Sequence, residues 1–233
     1  MEQAQNTGTL YVVGTPIGNL SDLSPRVAEI LRTCDLIACE DTRITSRLLG
    51  HADIRKPLIN YRDDNEIRCA EMLLEKLLQG EIIALVTDAG VPGISDPGFR
   101  ITRLCHKNAV PVVPIPGPSA VITALSCSGL PTDSFLFLGF LAPKKSARVK
   151  AFTEYLQFPH TIVFYESPHR IEKCLSDMLE VYGDSRYVTV AKELTKLHER
   201  VVTGTLGDVS KAVLERSLKG EFVIVVAPAD FQL

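Results

Sequence analysis

An α/β fold in two domains follows from three features of the sequence. Short apolar, β-branched runs bounded by Gly, Pro or Asp alternate with amphipathic stretches that carry helix caps. The length, 233 residues, is enough for one large or two small domains with a real hydrophobic core. A Pro/Gly break followed by the linker Cys127 to Asp133 divides the chain into an N-terminal domain, residues 1–128, and a C-terminal domain, residues 129–233.

In the first half, Leu10 to Val13, Leu36 to Cys39, Leu58 to Asn60, Ile82 to Val86 and Val110 to Val113 read as strands buried on both faces. Ser24-Pro25 offers an N-cap with Pro at the first helical position, ahead of Val27, Ile30 and Leu31. Asp64 precedes a helix carrying Ile67, Ala70, Leu73, Leu74 and Leu77, which Gly80 closes. Strands and helices alternating through short loops imply a mainly parallel sheet covered on both sides. After Pro114 to Pro118 a short helix spans Ser119 to about Leu125.

In the second half, Phe135 to Leu138, Thr161 to Tyr165, Tyr187 to Ala191, Glu199 to Val202 and Glu221 to Ala227 read as strands, with helices over about 146–157, 168–181 and 207–218. The strands at 187–191 and 199–202 are too close for a crossover helix and should pair antiparallel, so the second sheet is mixed. The ligand cleft is expected between the two domains.

Composition removes several function classes. At 45% hydrophobic and 23% charged, the chain is an ordinary globular one. Its apolar runs fall far short of the roughly 20 residues of a membrane span, and no N-terminal block resembles a signal peptide, so a cytoplasmic protein without membrane contact is expected. The net charge of −3 confines any nucleic-acid site to a local patch. Six cysteines form no C-x-x-C pair and five histidines are dispersed, so no metal is expected.

Three strand-to-helix loops are rich in Gly and Pro: Gly14 to Leu20, Thr87 to Gly98 and Pro114 to Ala120. Neither G-x-G-x-x-G nor a Walker sequence is present, and Pro16, Pro92, Pro97, Pro116 and Pro118 remove donors that a phosphate nest would use. Rigid loops of small residues suit instead a flat, uncharged group such as adenosine, read at its edge by backbone. Asp41 in Glu40-Asp41-Thr42-Arg43 is a natural N-cap, which leaves Glu40 and Arg43 to contact a ligand or to pair with each other. Ser167-Pro168 reads as capping chemistry, whereas Tyr165 and Glu166 before it have no such account. Lys192 to Lys196 ends a strand and is either a solvated hairpin or a set of side chains delivered to the cleft. Lys144, Lys145, Arg148 and Lys150 form a basic run, either a solvated helix face or a phosphate-contacting edge that Arg26, Arg43, Arg47 and Arg170 extend.

Taken together, residues 14–20 (GTPIGNL), 40–43 (EDTR), 88–98 (DAGVPGISDPG), 116–120 (PGPSA), 164–170 (FYESPHR) and 191–196 (AKELTK) resemble the ribosomal RNA small subunit methyltransferase I family of the tetrapyrrole methylase (class III methyltransferase) superfamily. The resemblance runs from about Gly8 to Ala227. It implies two α/β domains with the cofactor, S-adenosylmethionine, in the cleft between them. It also implies 2′-O-methylation of a decoding-centre cytidine in 16S rRNA, within the 30S subunit, by a homodimer. By motif the cofactor contacts fall on Pro16, on Ala89, Gly90, Val91 and Ile94, on Ser119 and Ala120, and on Tyr165 or Glu166 with Leu194. The tetrapyrrole enzymes themselves carry a G-x-G-P-G-D first loop, and the G-T-P-I-G-N of this chain favours the RNA branch. Family members commonly continue past this core into a small helical extension, whereas this sequence ends at Leu233.

A ribose 2′-hydroxyl is a poor nucleophile until a base takes its proton. Glu40, Asp88 and Glu193 are the candidate acceptors, with Arg43 and Lys192 placed to hold adjacent phosphates. Arg26, Lys144, Lys145, Arg148 and Lys150 complete the expected RNA contacts. The rival readings are a tetrapyrrole methyltransferase and a noncatalytic RNA-binding assembly module.

Overall fold

The computed structural model describes residues 7–233. The chain divides into two compact units between Ser119 and Ala120.

The first unit is built on β1 (Leu10–Val13), α1 (Pro25–Thr33), β2 (Leu36–Cys39), α2 (Thr42–His51), β3 (Leu58–Asn60), α3 (Glu66–Leu78), β4 (Ile83–Leu85), α4 (Phe99–Lys107) and β5 (Val112–Ile115). All strand pairs are parallel, in the order β3-β2-β4-β1-β5. The short apolar strands need cover on both faces, and the helices supply it. Val27 and Leu31 of α1 and Leu48 and Leu49 of α2 pack with Val13, Ile37 and Ala84 on one face. On the other face Cys69, Leu73 and Leu77 of α3 and Ile101 and Cys105 of α4 pack with Leu10, Ala38 and Leu85. Ser24 caps α1 as the sequence suggests, accepting from the Val27 N–H at 3.2 Å with Pro25 at the first position. The last strand lies later than expected and contains Pro114; β5 pairs only with β1, so its other edge tolerates a missing N–H.

The second unit contains α5 (Ala120–Ser128), β6 (Phe135–Phe140), α6 (Lys145–Glu154), β7 (Thr161–Glu166), α7 (Ile171–Tyr182), β8 (Tyr187–Lys192), β9 (Arg200–Thr205), α8 (Leu206–Leu214) and β10 (Phe222–Val226). The sheet order is β6-β7-β10-β8-β9, with β6 and β7 parallel and the other pairs antiparallel, including β8 with β9. Period-2 alternation sorts the side chains of β7 and β10. Ile162, Phe164, Phe222, Ile224 and Val226 face α6, α7 and α8, where Phe152, Leu175, Met178 and Val209 fill the core.

Helix α5 packs on β8, β9 and β10, and the hydroxyls of Thr189 and Thr203 both donate to the Ser128 carbonyl, at 3.3 and 3.0 Å. That attachment moves the division of the chain to 119/120, ahead of the 128/129 expected from the linker composition. Helix α7 also begins later than Ser167-Pro168 suggests. The Glu166 carboxylate accepts the Ser167 N–H at 2.7 Å, and residues 167–170 form a turn in which the Arg170 and Ile171 N–H groups donate to the Ser167 carbonyl, each at 3.1 Å.

Candidate functional site

Helices α1 and α2 lie on one face of the first sheet and α3 and α4 on the other, so the loops leaving β1 and β2 turn opposite ways to the loop leaving the intervening β4. The crevice outside the carboxyl ends of these strands is the topological switch point, where parallel α/β sheets bind ligands. All three Gly/Pro loops leave the sheet at this edge, after β1, β4 and β5.

Backbone contacts fasten them together. Thr15 and Gly90 form a two-bond antiparallel bridge, 2.8 and 3.2 Å, and the Thr15 hydroxyl donates to the Thr87 carbonyl at 3.2 Å. Gly90 takes φ +81°, a left-handed conformation that favours glycine. On the other side of β1, a Cβ on Gly117 would lie 2.5 Å from the Gly14 carbonyl carbon, so the first and third loops touch through bare backbone. The far end of the second loop is held by a network that the sequence does not disclose. Buried Tyr61 donates to Glu66 Oε1 at 3.1 Å and accepts the Ile101 N–H at 3.3 Å, while Glu66 also accepts the Gly98 N–H at 3.1 Å and Arg100 Nε at 2.9 Å.

Pro16 and Gly90 are buried, Val91 is half-buried, and Ala89 and Ile94 are exposed. A recess of about 180 Å³ opens beside the first loop, lined by Thr15, Pro16, Thr45, Leu48, Thr87 and Asp88. The fourth motif completes this edge. Asp41 caps α2, accepting the Arg43 N–H at 2.8 Å, and it also pairs with the Arg43 guanidinium at 2.5 Å. Arg43 therefore pairs with Asp41 rather than Glu40, and these bonds hold the Asp41 carboxyl well below its ordinary range. Asp88 Oδ1 accepts the Asp41 N–H at 2.9 Å, and Arg62 Nε donates to the Glu40 carbonyl at 2.8 Å. Burial pushes the Glu40 carboxyl up, and the neighbouring Asp88 charge adds to the effect; Asp88 is itself raised by burial. Two carboxyl groups poised above their usual range thus stand at the switch point.

In the second unit, Ala120 opens α5 directly after Ser119, and both are half-buried. Tyr165 packs on Phe137 and Phe140, with ring centroids at 5.0 and 5.3 Å. The Glu166 carboxylate is fully buried and engaged internally, since Oε1 also pairs with Arg170 Nε at 2.9 Å. Beyond β8 the chain does not continue extended, because Glu193 and Thr195 take positive φ, 51° and 66°. Leu194 is buried in this turn. Burial works against the Glu193 charge, yet Lys196 at 2.9 Å and the Glu221 N–H at 3.0 Å outweigh it and leave the carboxyl below its ordinary value. Of the three candidate bases, Glu193 is the one whose carboxyl is paired with a cation and lowered.

The basic run does not form one surface. Arg148 is 2% exposed and lies with Phe152 on the inward face of α6, where its guanidinium pairs with Asp177 at 2.5 Å and donates to the Pro143 carbonyl at 2.6 Å. The expected phosphate contact for Arg148 is therefore corrected, since reaching RNA would unpair a buried charge. Lys145 pairs with Glu180 at 2.9 Å. Arg26, Lys144 and Lys150 are exposed, and Lys192 is half-buried with Nζ donating to the Ser217 carbonyl.

Comparison with known proteins agrees with this architecture. The model of the family Tetrapyrrole (Corrin/Porphyrin) Methylases matches residues 9–210. The chain is 49% identical over 224 residues to the ribosomal RNA small subunit methyltransferase I of Xylella fastidiosa, covering 95% of this chain and 82% of that one. It is 47% identical to the protein of the same name from Escherichia coli O157:H7, covering 97% and 80%. Among solved structures, a uroporphyrin-III-C-methyltransferase from Thermus thermophilus superposes with TM-score 0.65 at 19% identity, covering 95% of each chain. A diphthine synthase superposes with TM-score 0.69 at 15% identity, covering 95% and 90%. At such identities these two share the fold. With its family match spanning both units and near-half identity to these relatives, the chain belongs to the tetrapyrrole (corrin/porphyrin) methylase family, in the group of the ribosomal RNA small subunit methyltransferases I.

Proposed function

We propose that this protein catalyses S-adenosylmethionine-dependent methylation of small-subunit ribosomal RNA, at the ribose 2′-hydroxyl of a decoding-centre cytidine, acting on the 30S subunit as a homodimer. The observation that carries the reading is the identity to ribosomal RNA small subunit methyltransferases I, 45–49% over nearly the whole chain.

The chemistry of the loops suits the cofactor. Residues 14–20, 87–98 and 116–120 contain no Lys or Arg, and their two charged side chains are Asp88 and Asp96. An edge of backbone, small side chains and carboxylates accommodates an uncharged purine and a cationic sulfonium, and is poorly matched to phosphates. When bound, S-adenosylmethionine supplies an electrophilic methyl group on that sulfonium. By motif, Pro16, Ala89, Gly90, Val91, Ile94 and Ser119 at the loops would hold and orient it, and Ala120, Tyr165 or Glu166, and Leu194 are the candidates that the second unit's motifs offer.

The remaining task is to take a proton from the ribose hydroxyl. Glu40 suits it best, because burial, with the Asp88 charge adding to it, raises its pKa and so strengthens the carboxylate as a base. Asp88 positions the Asp41 backbone and biases Glu40 through its charge, while Glu193 keeps its loop closed. Arg26, Arg43, Lys144, Lys150 and Lys192 are left as the phosphate contacts. In the balanced reaction the hydroxyl proton would pass to the Glu40 carboxylate, and the new ribose O–CH3 bond would replace the S–CH3 bond of the sulfonium, with neutral S-adenosylhomocysteine as the leaving group.

The experiment is transfer of labelled methyl from S-adenosylmethionine to 30S subunits from a strain lacking the gene, followed by nuclease digestion and identification of the modified nucleoside. Label in 2′-O-methylcytidine is the expected result. Label only in a tetrapyrrole acceptor, or RNA retention without transfer, would replace this reading with one of its two rivals.

A further inference from the structure

We infer that the second unit carries a docking groove for the phosphodiester backbone of the RNA substrate, formed between the β8–β9 connection and the segment joining α8 to β10. The inference rests on the ribosomal RNA reading above and adds a surface to it. The groove has a volume of about 610 Å³, and Lys192, His198, Arg200, Arg216 and Lys219 stand in its walls. In a chain of net charge −3 this is a local reversal of sign.

The two carboxylates lining the same groove are already engaged. Glu193 is held by Lys196 at 2.9 Å, and Glu199 Oε2 accepts the Thr195 N–H at 2.5 Å. None of the basic side chains forms an ion pair among the described residues. Lys192 and Arg200 donate to carbonyl oxygens, of Ser217 and of Ala212 near the end of α8, the latter at 2.8 Å, and Lys192 Nζ also lies 5.9 Å from the centre of the Phe222 ring. Such contacts occupy one donor of each side chain and suit the negative end of a helix, and they put no carboxylate within ion-pair distance of either charge, although Glu193 is near enough to feel the Lys192 charge. Arg216 and Lys219 are exposed on the loop after α8, where helix capping does not account for them.

Unpaired cations above an apolar floor that includes Val202 and Phe222 match a polyanion whose sugars are less polar than its phosphates. The groove also shares Lys192 and Glu193 with the Ala191 to Lys196 motif, whose Lys192 is one of the phosphate contacts proposed above. Because Lys144, Lys145, Arg148 and Lys150 are divided between surface and interior, this groove is the better candidate for the electrostatic part of RNA binding.

The test uses the full chain, labelled S-adenosylmethionine, 30S subunits and a 16S rRNA fragment, with the double variants Arg216→Ala/Lys219→Ala and Arg216→Glu/Lys219→Glu. The alanine pair should raise KM for the RNA about tenfold and lower the slope of log affinity against log salt by about two, while kcat changes less than twofold. The glutamate pair should act more strongly in the same direction, and calorimetry should show S-adenosylmethionine binding unchanged in both. Wild-type methylation with unaltered KM and salt slope in both variants overturns the groove and leaves the enzyme assignment standing. A wild type that binds the fragment but methylates nothing overturns the assignment, and the groove then stands or falls on whether the variants lose the salt-dependent binding. A wild type that neither binds nor methylates RNA overturns both.

Discussion

The backbone N–H of Asp41 donates to Asp88 Oδ1 at 2.9 Å, so the loops leaving neighbouring strands β2 and β4 are joined by the side chain whose charge also presses on Glu40. Replacing Asp88 by Asn keeps an oxygen to accept that N–H and removes the charge. With the repulsion gone, Glu40 ionises at lower pH, and the acidic limb of the pH–rate profile should move down by a measurable fraction of a unit. Asp88→Ala also orphans the N–H, and should cost about 1–3 kcal/mol more stability than Asp88→Asn. Coincident acidic limbs for wild type and Asp88→Asn would remove Asp88 from this role.

Glu40→Gln separates the base from its surroundings. Loss of a general base lowers kcat by about 10²- to 10⁴-fold. Stability should move the other way. A carboxyl whose folded pKa lies above its unfolded value contributes stability that is present below the unfolded value and lost as pH rises through the folded one. At neutral pH the burial of Glu40 is therefore a net cost, and the amide relieves it. Urea unfolding at pH 7 should give Glu40→Gln a midpoint no lower than wild type; full methyl transfer by this variant would transfer the role elsewhere.

Gly14 and Gly117 meet backbone to backbone, and neither site has room for a methyl group. A Cβ would lie 2.7 Å from the Gly117 nitrogen in the first case and 2.5 Å from the Gly14 carbonyl carbon in the second. Each Gly→Ala change should destabilise by about 1–3 kcal/mol and spread the first loop from the third, with weakened S-adenosylmethionine binding seen by calorimetry. A methyl group added at Gly50, near the end of α2, would meet nothing within 4 Å, and Gly50→Ala should leave binding intact and stabilise by about 0.5 kcal/mol.

Arg148→Ala tests the corrected assignment. Removing one member of the buried pair with Asp177 should cost about 3–5 kcal/mol in denaturant unfolding, whereas Arg148→Met with Asp177→Leu should recover most of it. Lys150→Ala, on the exposed face of the same helix, should stay within about 0.5 kcal/mol of wild type. A stable Arg148→Ala with a reduced salt slope for RNA would restore Arg148 as a phosphate contact.

Much of this architecture is legible residue by residue. Leu36 to Cys39 is buried throughout, as a short apolar run between turn residues in a sheet covered on both faces should be. Ser24 and Asp41 cap because a short oxygen-bearing side chain before a helix satisfies an orphan N–H locally, and local chemistry is what a sequence records best. The small residues and prolines of the three Gly/Pro loops likewise suggest a flat, uncharged ligand before any coordinate is known.

The amino-acid order alone thus carries the succession of strands and helices, the caps at Ser24 and Asp41, the parallel and mixed sheets, and the family. Only the tertiary structure decided which charges are free to act. Arg148 and Lys150 look alike in a basic run, yet helical phase turns one onto Asp177 in the core and leaves the other in water. Glu40 and Glu193 look alike as carboxylates at strand ends, yet Lys196 and the Glu221 N–H hold one charged, while burial beside Asp88 raises the other. Ionic partners are chosen by side chains brought together from distant parts of the chain, and the energy of a charge depends on that company and on its access to water more than on its neighbours in sequence.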